Sequence, residues 1–142
     1  MNILKILTPK RRLGNFGENC AARYLRRNGY KILERNFTGN HGEIDIIARK
    51  KCVWAFIEVK TRSAEHPSTY ETRPAASVTP DKQRRLIRVA NEYAYRKHKD
   101  AKFCMRMDVI EVHTQKDKKG KPRLLKLHHI ENAFNMDSAY RG

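Results

Sequence analysis

Apolar residues along this chain recur with two different periods, which predicts two helices and five strands. They fall at helical spacing in two segments and at every second residue in five others. In chain order, the pattern predicts a helix over 15–28, strands over 30–37, 43–49 and 53–61, a helix over 79–97, and strands over 103–112 and 124–130. The second helix makes a crossover between the third and fourth strands. The prediction is therefore an α/β fold with a mixed central sheet flanked by helices.

Helix start and stop signals support both helical segments. The first has an apolar stripe through Ala21 and Leu25 and ends at Gly29, a residue suited to a left-handed cap. The second begins at Thr79 and Pro80, which serve as the N-cap and the first helical residue. The two helices therefore frame the three central strands in sequence.

The segments outside these elements are short, except for one loop. Residues 1–12 read as a basic arm, 63–78 as a mobile or substrate-covering loop, and 135–142 as a tail. No internal repeat divides the chain. We expect residues 1–142 to form a single domain.

Net charge points to a polyanionic partner. The chain has 31 Lys plus Arg against 15 Asp plus Glu, a formal charge of +16. Nucleic acid is the first candidate, because cations that neutralise phosphates release condensed counterions. Packing on RNA in the manner of a ribosomal protein is one form of this first candidate, and a membrane surface is the second. Charge alone leaves these alternatives open.

The cysteines and the hydropathy pattern narrow the cellular setting. Cys20, Cys52 and Cys104 are odd in number and widely spaced, which is typical of free thiols in a reducing compartment. No run approaches the length of a membrane span. We expect a cytoplasmic protein with no membrane partner.

The sharpest chemical prediction comes from two neighbouring strands. Glu58 and Lys60 end the third strand two residues apart and therefore share a face, and Asp45 lies on the strand before it. Since the two strands form a hairpin, the two carboxylates come close together. Mg²⁺ (or Mn²⁺) takes a pair of carboxylates and completes its shell with water and phosphate. The pattern predicts a metal-dependent nuclease site with Asp45 and Glu58 as metal ligands.

An alternative remains open for each of these residues. A Glu-x-Lys triplet is common in a chain that is 32% charged, so Glu58 and Lys60 also fit a solvated salt bridge. Glu18 lies on the apolar stripe of the first helix, where a carboxylate needs a partner. It also fits a residue that only complements the helix dipole.

Several motifs occur in a consistent order from residue 13 to residue 134. They are Gly17-Glu18, Ala21-Ala22, Tyr24-Leu25, Gly29-Tyr30-Lys31-Ile32-Leu33, Arg35-Asn36, Gly42-Glu43-Ile44-Asp45, Phe56-Ile57-Glu58-Val59-Lys60-Thr61-Arg62, Lys82, Arg106-Met107-Asp108-Val109 and His129-Ile130-Glu131-Asn132-Ala133-Phe134. In these motifs the chain resembles the YraN-type uncharacterised protein family. That resemblance implies the restriction-endonuclease-like, PD-(D/E)xK fold, with a core order of α-β-β-β-α-β that archaeal Holliday-junction resolvases share.

The resemblance also implies roles for individual residues. Asp45, Glu58 and Lys60 match the metal-binding and catalytic triad of that superfamily, and Glu18 matches the helix-one carboxylate of resolvase-like members. Ile44 stands where the superfamily motif has a proline, so the motif is only partly met. The implied activity is Mg²⁺-dependent endonuclease cleavage, of branched or damaged DNA in preference to RNA. A homodimer follows only by analogy with resolvases.

Two further readings of the function stay open. A nuclease fold can bind nucleic acid without cutting it, and a basic face can serve an assembly factor. Arg35, Arg62 and Lys82 are candidate phosphate contacts in either case, although charged surface residues more often only meet solvent.

Overall fold

The computed structural model describes residues 8–65, 78–97 and 104–135, and these ranges form two helices and five strands. The elements are α1 (Pro9–Arg27), β1 (Lys31–Gly39), β2 (Gly42–Lys50), β3 (Val53–Ser63), α2 (Pro80–Lys97), β4 (Cys104–Lys116) and β5 (Pro122–Phe134). The predicted α/β class and the core order α-β-β-β-α-β are confirmed. Of the described helices, neither has the length and apolar character needed to span a bilayer.

The five strands form one mixed sheet in the order β1-β2-β3-β4-β5. Neighbouring strands are antiparallel except for β3 and β4, which run parallel. A tight turn joins β2 to β3, so that pair must be antiparallel, whereas α2 carries the chain back to begin β4 beside β3. The mixed sheet follows from these two connections.

Each face of the sheet is covered by one helix, as the crossover predicts. The α1 face holds Leu25, Ile46, Ile57 and Ile110, and the α2 face holds Phe56, Ile87, Val109 and Phe134. Successive residues of β3 alternate between the two faces because side chains alternate along a strand. Both faces of the central strands are therefore buried, as in sheets covered on both sides.

The predicted basic arm is wrong in part, because α1 begins six residues before Asn15, at Pro9. Thr8 is the N-cap, and its side chain accepts a hydrogen bond from the Arg11 amide at 3.2 Å. A Thr-Pro pair thus begins both helices, and proline suits the first helical position. Residues 9–12 are helical, and 1–7 lie outside the described residues.

The strand β4 continues past its predicted end to Lys116, β5 is longer than predicted at both ends, and the turn predicted over 115–123 is shorter. The ladder continues to Lys116 opposite Pro122, because polar residues are compatible with strand pairing where one side faces water. At the other end, β5 continues four residues past its predicted end at Ile130, to the buried Phe134. Residues 136–142 lie outside the described residues.

The predicted loop over 63–78 is shortened at both ends. Ser63 still belongs to β3, where it pairs with Thr114, and Val78 is buried in the core beneath α2. The intervening residues 66–77 lie outside the described part of the chain.

A glycine sets how closely α1 approaches β3. A Cβ built on Gly17 would lie 1.9 Å from the Oγ1 atom and 2.9 Å from the Cβ atom of Thr61. No real side chain fits at that distance, so the contact requires glycine. This close approach brings the next residue of α1, Glu18, against the sheet.

We predict that Gly17→Ala lowers the free energy of unfolding by about 1–3 kcal/mol, because the added methyl group pushes α1 away from Thr61. Urea denaturation of the purified variants measures this. Gly14→Ala is the matched control, since that glycine lies on the same helix with nothing within 4 Å of an added Cβ. The control should be stabilised by up to about 1 kcal/mol, the helix propensity of alanine. Equal effects at the two positions would contradict the close packing.

Candidate active site

The strands β2 and β3 separate where the predicted site lies. Their ladder runs from Lys50 opposite Val53 to Ile46 opposite Ile57. Asp45 and Glu58 occupy the next positions, beyond the last pair. There the Val59 amide donates a 2.8 Å hydrogen bond to the Oδ2 atom of Asp45. A side chain thus accepts a hydrogen bond from the β3 backbone just beyond the paired strands, which fixes the position of the Asp45 carboxylate.

Glu58 lies on the α2 face of β3 and is held by two lysines. The Lys82 Nζ atom lies 2.7 Å and the Lys60 Nζ atom 3.6 Å from its Oε1 atom. Only 8% of Glu58 is exposed, so its charge needs such partners. The predicted sharing of a face by Glu58 and Lys60 agrees with this contact. Lys82 reaches the site from the first turn of α2.

Glu18 approaches Asp45 from α1. Its Oε1 atom accepts hydrogen bonds from the Arg35 Nε and Asn36 Nδ2 atoms, both at 3.0 Å. Asn36 has a φ of +53°, a left-handed conformation that asparagine tolerates better than most residues. This local kink lets two successive residues of β1 reach the same carboxylate. Glu18 is thus a buried and paired residue at the back of the site, and it does more than complement the helix dipole.

A cavity of about 290 Å³ connects the site to solvent. Its walls include Glu18, Asp45, Val59 and Thr61, together with the first half of α1. Asp45 is therefore reached from the α1 face, whereas Glu58 is enclosed on the α2 face. The site lies between the two layers, at the opening of the sheet.

Burial and the neighbouring carboxylates change the protonation of Asp45. Burial raises its pKa to about 7, with further contributions from the negative charges of Glu58 and Glu18. The hydrogen bond from the Val59 amide opposes this rise. An aspartate that titrates near neutral pH is common at functional sites.

The two lysines respond to the site in opposite directions. Burial lowers the pKa of Lys60 and the nearby Lys82 charge lowers it further, although Glu58 opposes the change. Burial acts against the charged form of Lys82 as well. There the hydrogen bond to Glu58 and the charge of that carboxylate together outweigh burial, and the pKa of Lys82 is raised. Lys82 is thus the stable counter-charge, and Lys60 is the lysine that loses its proton more readily.

The donor set suits a divalent cation held by few protein ligands. Across the described ranges, no group of three or more His, Cys, Asp or Glu side chains is arranged to hold a metal ion. Mg²⁺ often binds one or two carboxylates and takes its other ligands from water and substrate phosphate. Asp45 and Glu58 are two such carboxylates, and their mutual repulsion is what a cation would relieve. Their chemistry therefore fits Mg²⁺ or Mn²⁺.

The three predicted phosphate contacts are all engaged with carboxylates of the protein. Arg35 pairs with Glu18, and Lys82 pairs with Glu58. The Nε atom of Arg62 lies 3.6 Å from the Oε2 atom of Glu111. Their role as nucleic-acid contacts stays a prediction, since an ion pair within the protein already accounts for their position.

Glu111 is a buried carboxylate near the site to which the sequence pattern assigned no role. It is 7% exposed, pairs with Arg62, and contacts the Nε2 atom of His113 through its Oε1 atom. The available signal was the alternation along β4, which places Glu111 on the same face as Met107 and Val109. A carboxylate that continues a buried apolar face needs a partner.

A second buried hydrogen-bond network, which the sequence pattern did not predict, stabilises the fold away from the site. Asp108 is fully buried and accepts hydrogen bonds from Arg106 at 2.8 and 2.9 Å and from the Asn132 amide at 3.0 Å. The His129 Nε2 atom lies 2.8 Å from Asp108, and its Nδ1 atom lies 3.0 Å from the Tyr24 hydroxyl. This network joins α1, β4 and β5, which gives His129 a structural role.

Comparison with known sequences identifies the family. The sequence model of the family described as "Uncharacterised protein family UPF0102" matches residues 17–112. This chain belongs to the UPF0102 family. The matched range of this UPF0102 member contains Glu18, Asp45, Glu58 and Lys60, and the predicted family resemblance is confirmed.

Individual UPF0102 relatives match most of the chain. A UPF0102 protein of Chlorobium phaeobacteroides is 40% identical over 125 residues, covering 88% of this chain and 94% of its own length. One from Caldicellulosiruptor saccharolyticus is 44% identical over 126 residues, covering 88% and 98%. One from Clostridium botulinum is 46% identical over 100 residues, covering 70% and 78%.

Among solved structures, one described as Pyrococcus furiosus SfsA in complex with Ca²⁺ is similar to this UPF0102 member. The TM-score is 0.43 at 11% identity, and the match covers 83% of this chain and 63% of that chain. The likeness is too distant to inform the chemistry of the site.

The raised pKa of Asp45 predicts a pH-dependent effect of Asp45→Asn on stability. In the native state Asp45 binds a proton up to about pH 7, whereas an unfolded aspartate releases it near its ordinary pKa of 3.8. The wild type therefore loses stability as pH rises between these values. The substituted asparagine carries no charge, so the variant should gain about 2–3 kcal/mol relative to wild type between about pH 5 and about pH 8.

Urea denaturation in EDTA at the two pH values measures this difference. Asp81→Asn is the matched control for net charge, because that side chain is 81% exposed on α2. A pH-independent difference between Asp45→Asn and wild type would show that burial and the neighbouring carboxylates do not raise the pKa of Asp45.

Proposed function

We propose that this protein is a nuclease that hydrolyses phosphodiester bonds with the help of a divalent cation. The observation that supports it best is the Asp45 carboxylate at the opening between β2 and β3. It is held by the Val59 amide and its pKa is raised by burial and by Glu58, at the wall of a cavity. A buried pair of repelling carboxylates beside an open cavity is suited to binding a cation.

The side chains around Asp45 have distinct roles in this proposal. Asp45 and Glu58 would hold Mg²⁺ or Mn²⁺, which supplies a water of lowered pKa and neutralises phosphate charge when bound. Lys60, whose pKa is lowered, would orient that water or the phosphate. Lys82 would hold Glu58 in place through their ion pair, and Glu18 would form the acidic back wall.

The substrate would be nucleic acid, with DNA preferred to RNA. The formal charge of +16 favours a polyanion, and bringing phosphates to Asp45 needs cations to offset the repulsion. Branched or damaged DNA and a homodimeric state extend this proposal by analogy with resolvases.

One observation favours a second candidate, a module that binds nucleic acid without cutting it. Both lysines already contact Glu58, so its charge is neutralised by the protein itself. Because the two lysines offset the charge of Glu58, that side chain can stay in place without a bound cation. The two candidates differ in whether metal binding and cleavage depend on Asp45.

We predict that wild-type protein with Mg²⁺ or Mn²⁺ cleaves duplex, flap or four-way-junction DNA, and that Asp45→Ala and Glu58→Ala each reduce the rate about 100-fold or more. Removing either carboxylate removes a proposed metal ligand. Gel assays on end-labelled substrates measure this, with Asp81→Asn as a control that keeps activity. Equal residual cleavage by wild type and both alanine variants would exclude Asp45 and Glu58 as the source.

We also predict that Mn²⁺ binding tightens about tenfold per pH unit up to about pH 7 and then levels off, because Asp45 must lose its proton first. Titration calorimetry in two buffers of different ionisation enthalpy measures the affinity and the proton released. Binding should be lost in Asp45→Ala and retained in Asp81→Asn. Nucleic-acid binding without any Asp45-dependent Mn²⁺ binding would favour the non-cutting module.

A further inference from the structure

A second cavity, of about 570 Å³, lies between the start of α1 and the turn that joins β4 to β5. Four basic residues line it, Lys10 and Arg12 from α1, Lys116 from the end of β4 and Lys121 from the turn that follows. None of the described residues along its walls is acidic. Cations from two distant parts of the chain thus converge on one concave surface.

These four cations are not neutralised by the part of the protein that the structure describes. Within those ranges, none of them forms an ion pair with a carboxylate. The nearby acids are engaged with the backbone of the turn. Glu65 accepts a hydrogen bond from the Lys116 amide at 2.8 Å, and Asp117 accepts one from the Lys121 amide at 2.9 Å. These hydrogen bonds shape the turn. Hydrogen bonds from Ser63 and from the Lys116 amide, with a smaller contribution from the Lys116 charge, lower the pKa of Glu65. Among the described residues, neither lysine side chain forms an ion pair with these acids.

The basic cavity continues directly from the candidate active site. Lys10 and Leu13 line both cavities. Along the α1 face of β3, Thr61 lines the cavity with Asp45, and Ser63, two residues further, lines the basic one. A ligand that follows β3 would pass from carboxylates to cations that form no ion pair among the described residues.

We propose that the basic cavity binds the sugar–phosphate backbone of a single nucleic-acid strand, next to the phosphodiester that reaches Asp45. Unpaired lysines and arginines gain affinity from a polyanion by releasing its counterions. The volume lies in the range of cavities that enclose one small ligand, which is enough for a short stretch of one strand. This inference rests on the proposed function for its orientation, but the binding itself needs no metal.

The test is fluorescence anisotropy of labelled oligonucleotides in EDTA, where cleavage plays no part. Lys116→Gln with Lys121→Gln removes two lining cations. Lys118→Gln with Lys119→Gln is the matched control, because those exposed lysines lie in the same turn but do not line the cavity. Lys10→Gln with Arg12→Gln tests the α1 wall independently. Circular dichroism checks that each variant is folded.

We expect both cavity variants to bind single-stranded DNA about tenfold more weakly than wild type. The slope of log affinity against log salt should fall by about 1.4, the loss of two phosphate contacts on a single strand. The matched control should stay close to wild type. A blunt duplex of the same sequence should lose less affinity than the single strand or a duplex with an overhang.

Equal weakening in the matched control would overturn the proposal, because net charge would then explain the binding. An equal loss on blunt duplex would overturn the assignment to a single strand, and failure of wild type to bind any oligonucleotide would overturn the site. Selective weakening in the cavity variants supports it even where wild type and Asp45→Ala cleave equally. The cleavage result alone decides the nuclease proposal.

Discussion

The separation of β2 from β3 is the feature on which the site depends. Up to Ile46 and Ile57 the two strands are joined by backbone hydrogen bonds, and beyond them the Asp45 side chain accepts the bond from Val59. An opened strand pair leaves room for side chains between the two layers of the fold. Carboxylates from β2, β3 and α1 can therefore meet, although their residues belong to different faces and elements.

The pairing of carboxylates with cations around the opening determines which carboxylate keeps an uncompensated charge. Three carboxylates near one another would destabilise the fold unless each had a counter-charge, since burial strengthens repulsion. Arg35 offsets Glu18, and Lys60 and Lys82 offset Glu58. The negative charge that these cations do not offset is that of Asp45, whose pKa is raised by burial and by its acidic neighbours. Asp45, the residue with the least local compensation, lines the cavity together with Glu18, which is why we propose a cation at Asp45.

Helix α1 connects this acidic site to the basic surface beside it. Gly17 allows the helix to lie directly on Thr61, which brings Glu18 to the site. The start of the same helix places Lys10 at the junction of the two cavities. One rigid element thus sets the position of the acidic group and of a cation that would guide phosphates towards it. Displacing α1 would disturb both.

The sequence by itself determined the elements, the mixed sheet and the proximity of Asp45 to Glu58, because hydrophobic periodicity and a tight turn are local properties. It also indicated Glu18 as a carboxylate in need of a partner. Only the tertiary structure decided that Lys82 reaches Glu58, that Glu111 holds Arg62, and that Lys10 faces the turn between β4 and β5. Those contacts join residues far apart in the chain, and their formation depends on how helices pack across a sheet, which no local pattern records.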